Sequence, residues 1–497
     1  MGANAQPRIF DAFVPTRRPT ASRQLQESIA LPLARLLFAS IAAVGLSALG
    51  ACVSVEAPAL PNAMPASYQA AAAASLSDAP APDLSNWWQS FHDPMLDVLV
   101  SRALTQNLGL AQARSRLRQA RRLAASANVA YLPSLSAGSR TAQDASAIDT
   151  YYQASLDAVW ELGLFGAREA TQMQGEGAIA TLLADTQAAR VSVVAEVVRS
   201  YLDLRTAQQR LDGLDSLRKL ETRAVALEDM RVRTGQAPAS ERAQANARLV
   251  QLDAEAAEPR AAIRAAAQGL AVLLGQTAPD AQWFDAAPPP RLAAPSLTQV
   301  PADLLRTRPE IRKAEAHVME AAGDLGLARS ALYPRIVLGA SLLFAYNVTQ
   351  NRRVQSNNVP GFGPVIDIPL FDWGQRRRNA DAHEDALDAA LLAYREALVV
   401  GVGETETALS NFDQQSRRTA DRERALSTLE AGEASQRVLQ GQGLSSEFDG
   451  LPLLRARRQA EMDLVGAQAS RALAFVALYK ALGGAPLPAE TDTQGQP

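Results

Sequence analysis

Two stretches of about seventy residues, from Gly166 to Arg233 and from Gly374 to Gln440, contain no proline and repeat their apolar residues at helical spacing. In the first, Val194, Val197, Tyr201, Leu204, Leu211 and Leu214 mark one stripe. In the second the stripe runs through Leu387, Leu391, Tyr394, Leu398, Val402, Thr405, Leu409 and Phe412. A helix of that length measures about 100 Å, several times the roughly 30 Å hydrocarbon core of a bilayer. Helices this long build coiled coils and helical tunnels and are rare in globules. Each run meets a glycine-containing turn and returns as a second helix, predicted over Ser240–Leu274 and Leu453–Leu482. The result is two helical hairpins with tips at Thr234–Glu241 and Gln440–Glu447.

Upstream of each hairpin the hydrophobic period changes. Thr307-Arg308-Pro309-Glu310 opens a helix with proline in its first turn, and Ile311, Ala314, Val318 and Ala321 follow on one face. At Tyr333-Pro334 this pattern stops, and Ile336, Leu338, Leu342, Phe344 and Tyr346 alternate with smaller residues such as Gly339 and Ser341, as in a strand with two unlike faces. Leu110, Ala113, Leu117 and Ala120 lead in the same way to Leu132-Pro133. Leu164-Phe165-Gly166 is echoed by Leu370-Phe371 with Gly374, and Gly235-Gln236 with Ser240-Glu241 by Gly441-Gln442 with Ser446-Glu447. All these offsets are about two hundred residues, so the chain reads as an internal repeat.

After Pro133 a hairpin is expected. In its second strand Tyr152, Ala154, Leu156, Ala158 and Trp160 alternate with Gln153, Ser155, Asp157 and Glu161. The second half places Phe362, Ile366, Ile368 and Leu370 against Gly363 and Asp367, while Pro364 and Pro369 require an edge, a bulge or a strand end. One apolar and one polar face suits a half-buried antiparallel strand and equally a membrane barrel strand. Four strands cannot close a barrel, which needs about eight, and open edges cannot face lipid. Several copies must therefore share one barrel, and three copies with about twelve strands are the smallest solution with an ample lumen.

The first residues are a targeting segment. Arg17, Arg18, Arg23 and Arg35 precede an apolar run from Leu36 to Ala51 that is shorter than the about 20 residues of a membrane span. The run ends in Leu49-Gly50-Ala51-Cys52, which resembles the lipobox of bacterial lipoproteins, and Cys52 is the only cysteine in the chain. That resemblance implies cleavage before Cys52 and acyl chains on its sulfur and new amino terminus. Val53, where an inner-membrane retention signal would have aspartate, implies sorting to the outer membrane. Residues 53–85, rich in Ala, Pro and Ser, read as a tether. Trp87, Trp88 and Phe91 are read as core, followed by Asp93-Pro94 as a capped helix start.

The expected organisation is a signal peptide over 1–51, a lipidated tether over 52–85, and a first repeat over 86–277 with a β-hairpin near 133–161 and a helical hairpin near 166–275. A proline-rich connector over 278–301 leads to a second repeat over 302–485, with strands near 334–371 and a helical hairpin near 374–484, and a disordered tail over 486–497. The fold class is mainly α with a small β part.

Catalysis finds little support. The three histidines, His92, His317 and His383, are scattered, and His383-Glu384 lacks the second histidine of a zinc protease helix. Gly361-Phe362-Gly363 lacks the remainder of a dinucleotide site, and the seven methionines form no cluster. A net charge of -3 provides no footprint for nucleic acid. No cofactor is expected beyond covalent lipid on Cys52, and the chain is not expected to be an enzyme.

Over residues 85–485 the chain resembles the outer membrane factor family, the TolC-like channels of tripartite efflux pumps, and in particular their lipoprotein branch. The resemblance rests on Trp88–Phe91 with Asp93-Pro94, Arg308-Pro309-Glu310-Ile311 with Ala314-Glu315, the two proline junctions, Pro369-Leu370-Phe371-Asp372, and Tyr479-Lys480-Ala481-Leu482-Gly483-Gly484. It implies a homotrimer with a twelve-stranded outer-membrane β-barrel and a periplasmic α-barrel. It also implies helical tips that dock on a periplasmic adaptor, or membrane fusion protein, joined to an inner-membrane transporter. Gly235, Ser240, Glu241, Gly441, Ser446 and Glu447 are then docking candidates, with plain turn chemistry as the other reading. Asp229, Arg231, Glu433 and Arg437 are gate candidates, with solvated surface charge as theirs. Pro133 and Pro334 mark the junctions of barrel and tunnel. Where relatives have an acidic residue followed by Ala-Gln-Arg, this chain has the more basic Arg455-Ala456-Arg457-Arg458. The expected function is passive conduction of small molecules, such as drugs or toxic compounds, out of the periplasm. Type I protein secretion and a lipid-anchored periplasmic coiled-coil protein with a structural or adaptor role remain as alternatives.

Overall fold

The computed structural model describes residues 58–60, 84–143, 150–292, 306–347 and 356–484, all within one compact unit, Val55–Pro497. Cys52, the signal segment, residues 293–301 of the connector and the tail over 486–497 lie outside the described residues. The first half contains α1 (Pro94–Gln106), α2 (Leu108–Val129), β1 (Ser134–Gln143), β2 (Thr150–Glu161), α3 (Ala167–Arg233), α4 (Ala239–Glu255) and α5 (Ala257–Leu273). The second contains α6 (Pro309–Ser330), β3 (Arg335–Asn347), β4 (Ser356–Asp367), α7 (Gln375–Gly441) and α8 (Glu447–Ala481). Both α3 and α7 are 67 residues long.

Local chemistry sets most boundaries. Asp93 caps α1, its Oδ1 accepting from the backbone N–H groups of Met95 at 2.9 Å and Leu96 at 3.2 Å, and Pro94 takes the first helical position. The last strand ends at Asp367, before the Ile368 and Leu370 read into it, and two helix boundaries also differ from those read in the sequence. The return helix predicted over Ser240–Leu274 is broken at Ala256, because Pro259 has no N–H for Glu255 and its ring crowds that carbonyl. The helix predicted from Leu453 begins instead at Glu447. There Ser446 and Asp449 form a reciprocal capping box that starts the helix ahead of Pro452, which lies within its early turns.

Helix α3 is the hub, packing against α1, α2, α4, α5, α6 and α8. Of its predicted stripe, Val194, Val197, Tyr201, Leu204 and Leu214 are buried and Leu211 is half-buried. Trp87, Trp88 and Phe91 form a short 3-10 turn in the same core, where Trp87 stacks on Tyr479 at 5.4 Å and Phe91 meets Phe475 edge-on at 5.7 Å. The Arg308-Pro309 motif also ends here. Arg308 is buried, donating to the Gly401 carbonyl at 3.0 Å and pairing with Glu404. Gly483, left-handed at φ 75°, lets the end of α8 lie against the Arg308 backbone, where an added Cβ would come within 3.1 Å of its Cα. The start of the connector is not simply extended: Trp283 is fully buried, and Gln208 Nε2 donates to its carbonyl at 3.0 Å.

The four strands form one antiparallel sheet in the order β1-β2-β3-β4. The register places Tyr152 opposite Tyr346, Ala154 opposite Phe344, Leu156 opposite Leu342 and Trp160 opposite Leu338, so the apolar residues of β2 and β3 share one face. Phe362 and Ile366 of β4 continue it through Ala340 and Ile336. Most of its large side chains, among them Tyr152, Leu156, Leu342, Phe344 and Phe362, are exposed on the chain. Tyr152 and Trp160 stand about 27 Å apart along the strand, which at the ~40° tilt of barrel strands covers about 20 Å of the ~25 Å apolar band of a membrane barrel. The opposite face carries Arg140 donating to Gln153 at 2.8 Å and Asp157 accepting from Ser155 at 2.7 Å and Ser341 at 2.5 Å.

The ladder also explains the prolines. Leu162 N–H donates to the Ile336 carbonyl, so even-numbered residues of β3 face β2 and odd-numbered ones face β4. Leu338 opposite Pro364 and Leu342 opposite Pro360 are therefore non-hydrogen-bonded pairs, and both imide nitrogens point to the open edge of β4.

Helices α3 and α6 cross closely at Gly177 and Gly323. A Cβ on Gly323 would lie 2.6 Å from the Gln174 backbone nitrogen, and one on Gly177 2.8 Å from that of Glu320. Gly323→Ala is expected to force the helices apart and cost about 1–3 kcal/mol, measured as a lower thermal midpoint in detergent.

Candidate functional site

The two hairpin ends use the same C-terminal device. At the end of α3, Gln236 N–H donates to the Arg231 carbonyl at 2.8 Å and Gly235 N–H to that of Val232 at 3.1 Å, with Gly235 left-handed at φ 75°. At the end of α7, Leu444 N–H donates to the Leu439 carbonyl at 2.9 Å and Gly443 N–H to that of Gln440 at 3.0 Å, with Gly443 at φ 73°. The counterpart of Gly235 is thus Gly443, and Gly441 is the last residue of α7. The correspondence read from the sequence is displaced by this turn. Pro238 and Ser446 hold the matching N-cap positions, so Ser446 caps its helix and exposed Ser240 does not. Leu444 projects from the second tip, 72% exposed, at the position of Gln236 in the first. No sequence period marks it, because it lies in a turn.

The charged residues near the tips are all engaged. Asp229 pairs with Arg233 at 3.3 Å and Arg242 at 3.2 Å. Arg231 pairs with Glu228 at 3.1 Å and Glu241 at 3.0 Å, and its guanidinium lies 4.1 Å over the Phe448 ring of the other hairpin. Buried Glu433 accepts from both Arg437 and Arg457. Glu447 receives a bidentate pair from Arg223, each bond 2.7 Å.

A carboxylate not singled out in the sequence holds the most enclosed of these clusters. Glu221 on α3 is 3% exposed and accepts from Arg455 of α8, through Nε and through Nη2 at 3.0 Å, and from Arg248 of α4 at 3.2 Å. The basic run at Arg455-Ala456-Arg457-Arg458 thereby finds its partners in Glu221, Glu433 and Glu461. Glu221–Arg455, Arg223–Glu447 and Arg231–Phe448 together tie α3 of one hairpin to α8 of the other. Sequence reading registered the arginines but not Glu221, because the pairing crosses more than two hundred positions.

Burial works to raise the Glu221 and Glu433 carboxyls. The arginines around each outweigh it, and both are held below the usual glutamate value of 4.5.

The proline junctions match closely. Leu132 N–H donates to the Val129 carbonyl at 2.9 Å and Tyr333 N–H to that of Ser330 at 3.1 Å, each one residue before the proline, and β1 and β3 start one residue after it. Among the described residues no group of three or more His, Cys, Asp or Glu could hold a metal ion. His317 Nδ1 lies 3.0 Å from Glu320, and Glu384 pairs with Arg329 at 3.3 Å, so these acids are engaged in helix-surface contacts.

The sequence model described as "Outer membrane efflux protein" matches residues 99–276 and 300–484. The chain is 29% identical over 467 residues to the pyoverdine export outer membrane protein OpmQ of Pseudomonas aeruginosa, covering 88% of this chain and 94% of that protein. It is 27% identical to nodulation protein T of Rhizobium leguminosarum bv. viciae over 406 residues, 80% of this chain and 82% of that one. The solved outer-membrane channel OprN superposes with a TM-score of 0.74 at 27% identity, covering 87% of this chain and 99% of that one.

Because both folded pKa values lie below the unfolded one, the Glu221 and Glu433 clusters add stability that is fully present above about pH 4.5. That stability is lost as the pH falls through the depressed folded values. Glu221→Gln is expected to cost roughly 1–3 kcal/mol, since both arginines reach solvent, and to flatten the acid limb of a thermal-midpoint titration. Limited proteolysis should cut faster after Arg455 in the variant.

Proposed function

The chain belongs to the outer membrane efflux protein family, whose members are channels of the outer membrane, and we propose that three copies assemble into the exit duct of a tripartite efflux pump. The observation that carries this reading is the four-stranded sheet, with an exposed apolar face and two edges unpaired among the described residues, set at the end of 67-residue helices. Three such sheets would close a barrel of about twelve strands, above the minimum of about eight, and leave no open edge to face lipid. The exposed Leu156, Leu342 and Phe344 favour a lipid-facing sheet over a soluble hairpin, and so a duct over a periplasmic coiled-coil protein.

In this reading Pro133 and Pro334 stand where tunnel becomes barrel, and the helical arms enclose the periplasmic part. The tips at Gly235, Ser240, Glu241, Gly441, Ser446 and Glu447 would meet a periplasmic adaptor joined to an inner-membrane transporter, with Leu444 as an apolar knob between them. Asp229, Arg231, Glu433 and Arg437, joined by Glu221 and Arg455, would hold the tips closed. Cys52 would carry the lipid that adds a second attachment to the outer membrane. Conduction is passive: energy comes from the transporter, and small molecules are the cargo.

Purified from outer membranes, the protein is expected to run as a heat-modifiable trimer and to conduct in planar bilayers; a monomer without conductance would rule out the duct. Cys52→Ala is expected to abolish labelling by radioactive palmitate. Leu444→Asp is expected to reduce co-purification of the adaptor while trimer yield is unchanged.

A further inference from the structure

One corner of the sheet is covered, and its counterpart is bare. Between β2 and α3 the chain turns through two consecutive left-handed residues, Phe165 at φ 58° and Gly166 at φ 81°. The Phe165 ring stacks on Tyr333 with centroids 5.0 Å apart and planes inclined by 12°. Tyr333 is the residue before Pro334 and belongs to the second half. This contact closes the seam between β2 and β3, where one half meets the other.

Between β4 and α7 the corner is built again by Trp373 at φ 55° and Gly374 at φ 75°. Left-handed backbone is unfavourable for a bulky side chain, so its recurrence before a left-handed glycine identifies Trp373 as the counterpart of Phe165. The Leu-Phe match in the sequence had indicated Phe371. Trp373 is 81% exposed and touches Phe371 at 4.9 Å. The counterpart of Tyr333 is Leu132, before Pro133 in the same kind of turn, and it is 49% exposed. Within one chain β4 and β1 are opposite edges of the sheet, so these counterparts meet only between copies.

We propose that Trp373 packs on Leu132 of a second copy and closes the β4–β1 seam at its tunnel end, as Phe165 on Tyr333 closes the seam inside the chain. The proposal rests on the shared-barrel reading above. Two features make an apolar contact important at that seam. The internal seam has an ion pair at this level, Arg335 to Glu161, with Nε to Oε1 at 3.0 Å and Nη2 to Oε2 at 2.5 Å. The equivalent strand-end positions are Ser134 and Asp367, which cannot form one. Pro360 and Pro364 also remove two donors from the edge that β4 offers its neighbour. A bare indole could alternatively lie at the bilayer interface. The matched corner is seated on protein, which favours a protein surface.

The test places a photo-crosslinking benzoylphenylalanine at position 373 in full-length protein co-expressed with a differently tagged copy, and maps the products by mass spectrometry. Crosslinks between tagged copies, into the peptide containing Leu132, are expected. The same probe at position 165 should mark Tyr333 within one chain. Trp373→Ala should lower the SDS-resistant oligomer roughly tenfold relative to monomer, and Trp373→Phe should retain most of it. Copies that co-purify while the probe at 373 labels only lipid, or only peptides lacking Leu132, would overturn the contact and leave the assembly standing. Copies that do not co-purify at all would overturn the assembly and the contact with it.

Discussion

An antiparallel sheet of four strands has two edges that pair with no other strand among the described residues, and hydrocarbon supplies no partner for their donors and acceptors. The rest of the molecule answers to this constraint. The face carrying Tyr152, Leu156, Leu342 and Phe344 is apolar, while the face behind it carries Arg140, Gln153, Ser155 and Asp157. The prolines of β4 are confined to positions whose imide nitrogens point outward, so they do not interrupt the ladder within the chain. In the proposed assembly their cost would fall on the seam between copies, where side-chain contacts would carry more of the association.

Below the sheet the structure depends on close helix packing. Gly177 and Gly323 let α3 and α6 approach until their backbones touch, and Gly483 does the same between the end of α8 and Arg308. Aromatic packing around Phe475 fills the space between Trp87, Phe91 and Tyr479. Three family motifs that looked unrelated in the sequence, at Trp88–Phe91, Arg308–Ile311 and Tyr479–Gly484, are thus neighbours around one core. The window of α3 apolar enough to cross a membrane is partly buried in the folded chain, and Val194, Val197, Val198, Tyr201 and Leu204 of the same helix pack in this core. The tips are held by charge instead. Glu221 and Glu433 each gather two arginines, and a helix end held by ion pairs can reorganise without tearing an apolar core.

Much of this was legible in the sequence for local reasons. The absence of proline over Gly166 to Arg233 and Gly374 to Gln440 determined the long helices, and the Asp93 cap with Pro94 and the first-turn Pro309 determined two helix starts, because both devices act within one turn. Alternation in β2 and β3 determined which side chains share a face. The misreadings were also local. Pro259 broke a helix read as continuous, and Ser446 with Asp449 started one ahead of Pro452. At the second tip, the sequence match pointed to Gly441, while the left-handed position went to Gly443.

What only the tertiary structure decided was pairing at long range. That Glu221 meets Arg455 and Arg248, that Trp283 anchors the connector, and that Phe165 covers Tyr333 cannot be read from spacing, because each joins positions far apart in the chain. By itself the sequence determined two half-chains with the same plan, long helical arms and strands with a lipid-compatible face, since those follow from periods and caps. The folded chain decided which of the repeated corners is covered and which is left open. Only there do the two halves meet across β2 and β3, leaving the edges of β1 and β4 apart.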